Sequence, residues 1–106
     1  TLDHARIGLL MLRRGVWEGR LLLSERWIDA CLAPCPLNGD YGCLWWLNAA
    51  GGIAPGASRE SFFAIGVGAN IVWVDPAHDL VAVVRWMDRA AFPEFAAIVT
   101  QAVREG

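Results

Sequence analysis

The stretch Phe62-Phe63-Ala64-Ile65-Gly66-Val67-Gly68-Ala69-Asn70 runs directly into Ile71-Val72-Trp73-Val74-Asp75-Pro76. Its β-branched and aromatic residues suit a pleated, buried surface. A second run of the same kind covers residues 80–86, after a link of only five residues, Asp75-Pro76-Ala77-His78-Asp79. That link is too short for the crossover that parallel strands need, so the two runs must form an antiparallel hairpin. A chain with this centre has to build an antiparallel sheet, and its other segments have to cover it.

Those segments are mostly helical. Residues 3–14 form a helix with Ile7, Leu10 and Met11 as one apolar stripe and Leu9 and Leu12 on the other side, and Gly15 ends it. Residues 16–22 are a loop with a tight turn at Gly19. Ser24 caps a second helix in which Trp27, Ile28, Cys31 and Leu32 share a face. Pro34 and Pro36 close it. Asn38-Gly39-Asp40 has turn chemistry, and residues 41–48 then read as a strand covered on both sides. A Gly/Pro/Ala-rich loop with a composition that permits mobility spans 49–61. Pro93 opens a last helix, whose stripe of Phe95, Ile98, Val99, Ala102 and Val103 packs on the sheet. The fold class is α+β: an antiparallel sheet with packed helices, one of them on a sheet face.

Composition narrows the function. The 106 residues suit one small domain, yet 56% are apolar and only 19% charged, more apolar than that size requires. The excess is spread over every element, which points to burial against further sequence or a partner rather than to one ligand surface. No apolar run reaches the ~20 residues of a membrane span. All nine cations are Arg, scattered in a chain of net charge −2, so no basic patch exists for nucleic acid. Without Lys there is no Ser-x-x-Lys nucleophile, Lys base or Schiff-base Lys in these residues. Cys31, Cys35 and Cys43 lack the paired spacing of a zinc site, and His4 and His78 are distant in sequence. No metal or cofactor is expected. Cys31 and Cys43 read as small buried hydrophobes. A Cys31–Cys35 or Cys35–Cys43 disulfide is also compatible with the spacing, although the odd count does not argue for one.

Five pieces of the chain, in order, resemble the closing part of a serine β-lactamase-like or penicillin-binding-protein-like domain. They are Thr1-Leu2-Asp3-His4-Ala5-Arg6-Ile7-Gly8; Gly15-Val16-Trp17-Glu18-Gly19-Arg20 with Leu22; Tyr41-Gly42-Cys43-Leu44-Trp45-Trp46; Phe63-Ala64-Ile65-Gly66 with Gly68 and Asn70; and Asp75-Pro76 with Asp79-Leu80-Val81. The resemblance implies that residues 1–106 are one partial domain, the C-terminal part of such a hydrolase, with the nucleophile upstream. It implies that Ala64, Ile65, Gly66, Val67 and Gly68 form the substrate-facing strand edge, and that the Val67 backbone N–H is one oxyanion donor. Ala64 stands where many relatives carry Lys or His, which removes a carboxylate anchor and leaves esterase or amidase-like chemistry open. The family's members occur both exported and cytoplasmic. The expected partner is the remainder of the domain or a second copy of the chain, and a stand-alone assembly module is the alternative function.

The same residues admit plainer readings. Residues 62–70 also fit a structural Gly-rich bulge. Asp75, His78 and Asp79 are ordinary hairpin-turn residues. Ser58 and Ser61 read as loop residues and His4 as a surface residue. Trp45 and Trp46 point to opposite faces of any strand, so at most one could stack on a sugar ring, and core packing suits both.

Overall fold

A computed structural model describes residues 1–106. Helix α1 (Leu2–Leu12) leads through a two-stranded hairpin, β1 (Val16–Trp17) and β2 (Arg20–Leu21), to helix α2 (Glu25–Leu32). Strands β3 (Trp46–Leu47), β4 (Phe62–Gly66), β5 (Asn70–Asp75) and β6 (Leu80–Val84) follow, and helix α3 (Phe92–Glu105) comes last. The main sheet has the order β3-β4-β5-β6 and is antiparallel throughout.

The period-2 pattern of the central strands decides what covers them. Phe62, Ala64, Val72, Val74 and Val83 share one face with Met11 and Leu12 of α1, Ile28, Cys31 and Leu32 of α2, and Trp45. Phe63, Ile65, Ile71, Trp73, Ala82 and Val84 share the other with Phe92, Phe95, Ala96 and Val99 of α3. The sheet is therefore sandwiched between helices on both sides, where the sequence suggested a helix on one. Strands that are apolar on both faces require this. On the α3 side, Phe92 meets Phe63 and Trp73 edge-on at 5.6 and 6.2 Å between ring centres, a favoured aromatic geometry.

Helix α2 follows its sequence signals. The Ser24 hydroxyl accepts from the Trp27 N–H at 3.1 Å, and Ile28 and Cys31 are buried while Trp27 stays largely exposed. Helix α1 departs from expectation, because Gly8 and Met11 form its buried face while Ile7 points outward. The reason is close approach. A Cβ on Gly8 would lie 2.7 Å from Val81 Cγ1 and 3.0 Å from Val72 Cγ1, so the helix seats its smallest residue on the sheet.

Residues 41–48 do not form the expected long strand. Leu44 takes φ +67°, the Gly42 N–H donates to the Trp45 carbonyl at 2.8 Å, and Tyr41 bridges to Trp46. The segment is a tight turn that ends in the two residues of β3. Loop 49–61, for all its glycine, is pinned. The fully buried Asn48 side chain donates to the Ala54 and Ser58 carbonyls and accepts from the Ala54 N–H, each within 3.0 Å. The loop's Ala54 and Ala57 are buried against the α3 side of the sheet.

Apolar surface remains uncovered. Only 23 of 106 residues are buried, and no β-strand pairs with the outer edge of β6, whose five apolar residues are all half-buried. No helix is long and apolar enough to cross a membrane.

Candidate active-site edge

Strand β4 has two kinds of neighbour. Along its inner side β5 pairs with every residue from Phe62 to Gly66. Along its outer side β3 pairs only with Phe62 and Phe63. The Asn48 N–H donates to the Ser61 carbonyl at 3.1 Å, so Ser61 directs its backbone groups outward. By the alternation of an antiparallel ladder, Phe63 and Ile65 do the same, while Phe62, Ala64 and Gly66 bond inward to β5. Beyond Phe63 no strand lies on that side. The Ile65 backbone has no strand partner on that side, and Val67 follows it two residues later.

The open edge borders a cavity of about 370 Å³. Ala64, Ile65 and Gly66 line it together with Tyr41, Trp46 and Val72, and His4 and Arg85 stand at its polar rim. Three of the five sequence-predicted residues of the edge thus line this cavity, and Val67 and Gly68 do not. Val67 lies at the edge's end with 94% of its surface exposed, and its N–H meets no acceptor within the protein. Gly68 occupies the β4–β5 turn with φ +81°, under the Trp86 ring, which a Cβ would approach to 2.4 Å. Its glycine is required by the turn.

Gly66 differs. Its φ is not positive, and a Cβ there would meet nothing nearer than the Asn70 carbonyl oxygen at 3.8 Å. Packing does not require glycine at this position. The missing side chain leaves the edge clear. Asn70 fixes the turn beside it: its Nδ2 donates to the Val67 carbonyl at 2.7 Å, while its Oδ1 accepts from Arg85 Nε and the Trp86 N–H at 2.8 and 3.1 Å.

At the other end of β5 the fold assembles Ser58, Asp75 and His78, the three residue types of a hydrolytic triad. The connectivity is wrong for one. The Asp75 carboxyl stands in the middle, accepting from Ser58 Oγ at 2.6 Å and lying 2.7 Å from His78 Nδ1. A nucleophilic Ser must pass its proton to the imidazole, and here the hydroxyl is committed to the carboxyl instead. Asp75 also accepts from the Ala77 N–H at 3.0 Å. Ser61 links the group to the Trp73 indole, whose Nε1 donates to its hydroxyl at 3.0 Å. This is a buried structural knot. His78 lies in the turn where sequence placed it, whereas Asp75 is the last residue of β5 and caps that turn, and no spacing showed that Ser58, 17 residues earlier, completes their network.

Trp45 is buried, edge-on to Phe62 with ring centres 5.2 Å apart. Trp46 is half-buried and lines the cavity beside Tyr41, 4.7 Å away between ring centres. His4 is exposed, as its position suggested, and borders the same cavity.

The 6-aminohexanoate-dimer hydrolase of Paenarthrobacter ureafaciens is 29% identical to this chain, over 76% of the chain and 22% of the relative. A solved Bacillus anthracis structure, provisionally described as a 6-aminohexanoate-dimer hydrolase, superposes with a TM-score of 0.65 at 20% identity. That match covers 97% of this chain and 28% of the other. The chain shares the fold of the corresponding part of that solved structure. It spans about a quarter of the length of these relatives. No family model matches it. Within this fold the β4 edge is the part of the chain where open backbone, a cavity and a glycine with no packing duty coincide.

Proposed function

We propose that this chain is the C-terminal part of a serine β-lactamase-like hydrolase that cleaves amide or ester bonds through an acyl-enzyme. The nucleophilic Ser and its Lys come from sequence upstream. The chain supplies the substrate-facing edge of β4 and one oxyanion donor. An extended substrate adds to that edge through the outward Ile65 backbone groups, as peptides add to exposed strands. The upstream Ser attacks the carbonyl carbon, and negative charge develops on its oxygen. The Val67 N–H donates to that oxygen, a contribution of about 3 kcal/mol for a single well-placed donor. Collapse expels the leaving group, and water then releases the acyl chain. Asn70 holds the Val67 carbonyl and so steadies the turn that follows the donor N–H.

One observation carries this reading: Gly66 is free of packing demands at the point where the edge opens onto the cavity and the Val67 N–H lacks an acceptor. The hydrolase names of the relatives support it, and so do the uncovered β6 edge and the surplus apolar surface, which the remainder of the domain would bury. The absence of a Lys or His at Ala64 argues against a strand-borne carboxylate anchor.

The test is fluorophosphonate labelling of the natural gene product, with the site mapped by mass. The expected product is several-fold heavier than 11.6 kDa and carries the label on a Ser outside residues 1–106. Stoichiometric label on Ser24, Ser58 or Ser61 would contradict the proposal. The β6 edge also supports a second reading, a non-catalytic assembly module. It would be favoured by a gene product of about this mass that forms a specific dimer and takes no label.

A further inference from the structure

Cys31 and Cys43 come from different elements and are brought together by the turn that follows α2. The Cys43 N–H donates to the Cys31 carbonyl at 2.8 Å. Covalent geometry then keeps the two Cα atoms within about 6.7 Å, inside the ~4.4–6.8 Å range that a disulfide spans. The backbones are pressed together here, since a Cβ on Gly42 would lie 2.2 Å from the same Cys31 carbonyl oxygen. All three thiols are free. Cys31 is buried, whereas Cys43 is exposed, contrary to its reading as a buried hydrophobe. Cys35 is held elsewhere: its N–H donates to the Tyr41 carbonyl at 2.7 Å, and it bridges to Asn38 across its own turn.

We propose that Cys31 and Cys43 form a redox-active pair, closed to a disulfide by a small-molecule disulfide oxidant such as oxidised glutathione. The exposed Cys43 loses its proton and its thiolate attacks the oxidant, expelling one thiolate and leaving a mixed disulfide. The Cys31 thiol then loses its proton and attacks the Cys43 sulfur, expelling the second thiolate. Two protein thiols are oxidised, and one oxidant disulfide is reduced to two thiols. The order follows from burial, because Cys31 is shielded from solvent and from the oxidant. Burial pushes its thiol above the ordinary range, and the neighbouring Cys43 adds to the shift, which suits a resolving rather than an attacking role.

The consequence reaches the cavity. Cys43 lies in the turn that carries Tyr41, Leu44 and Trp46, all three on the cavity wall. A disulfide would clamp that wall to α2. Neither disulfide compatible with the sequence spacing, Cys31–Cys35 or Cys35–Cys43, is the pair that the fold brings together.

The test oxidises the natural gene product with glutathione disulfide and digests it, unreduced, with a protease that cuts before Asp. Cys31 and Cys35 then leave on the peptide 29–39 and Cys43 on the peptide 40–74. The expected result is one linked species of the two peptides, in the wild type and in Cys35→Ser alike, and its loss in Cys43→Ser, which alters only an exposed side chain. The inference is overturned if the link vanishes in Cys35→Ser, which would assign it to Cys35. A stable glutathione adduct on Cys43 beside a free Cys31 would overturn it equally.

Discussion

The two ends of strand β5 are built on opposite principles. At the Asp75 end the buried polar side chains are bonded to one another. The carboxyl accepts from Ser58 and Ala77 and contacts His78, and Ser61 ties the group to Trp73. Asp75, Trp73 and Ser61 are almost fully buried. At the Asn70 end the ladder stops short of satisfaction. The Val67 N–H has no acceptor within the protein, Ile65 faces no strand, and Gly66 opens onto a cavity. The first end contains the residue types of a catalytic site, and even its Asp–His contact, but not the Ser–His contact that would activate a nucleophile. The second contains no catalytic side chain but offers groups free to bind. On the function proposed above, the working site is marked by backbone left unsatisfied at an accessible edge, and the structural one by polar side chains bonded to one another.

Substitutions can break that contrast. Asp75→Ala strands the Ser58 hydroxyl, the Ala77 N–H and the His78 ring around a buried gap, and is expected to destabilise by about 3 kcal/mol. Chemical denaturation measures it, and a loss below about 1 kcal/mol would mean the knot is not holding the turn. Gly66→Val is expected to do the reverse, leaving the melting temperature nearly unchanged while lowering kcat/KM of the complete hydrolase about 100-fold, or about 2.7 kcal/mol. A large drop in melting temperature would instead assign Gly66 to packing.

The smallest effect belongs to Asp79, whose exposed carboxyl pairs with Arg13 at 2.5 Å. Hydrogen bonding and attraction to the Arg13 guanidinium hold that carboxyl below its usual range. The folded value is depressed, so the pair's contribution is present above the ordinary carboxylate range and is lost as pH falls through the lowered value. Asp79→Asn keeps a residue suited to φ +50° and removes only the charge. It should melt slightly below wild type at neutral pH and level with it in acid, and salt should shrink the difference.

What the sequence made legible was whatever depends on neighbours along the chain. The β-branched and aromatic run over residues 71–74, the short link after Asp75, and the Ser24 cap each specify local geometry, and each is present. Ala64, Ile65 and Gly66 were singled out by resemblance to a family motif, and their placement together on the cavity follows from their contiguity in one strand. Residues 41–48 misled because their apolar alternation fits a strand, while the left-handed Leu44 folds them into a turn. Loop 49–61 has the composition of a mobile segment, but the anchor that pins it is the side chain of Asn48. The Ile7 stripe failed because helix burial here is decided by how closely Gly8 approaches Val72 and Val81. His4, Tyr41 and Arg85 join the cavity only through long-range folding, which no spacing encodes.

The most direct test of the edge is a comparison of Val67→Ala with Val67→Pro in the complete hydrolase, measuring kcat/KM and melting temperature for both. The Ala variant keeps the backbone N–H and should retain activity within about twofold. The Pro variant lacks that N–H and should lose about 10²–10³ in turnover with its melting temperature held. Equal activity of the two variants, at equal stability, would contradict the assignment of the oxyanion donor to this edge.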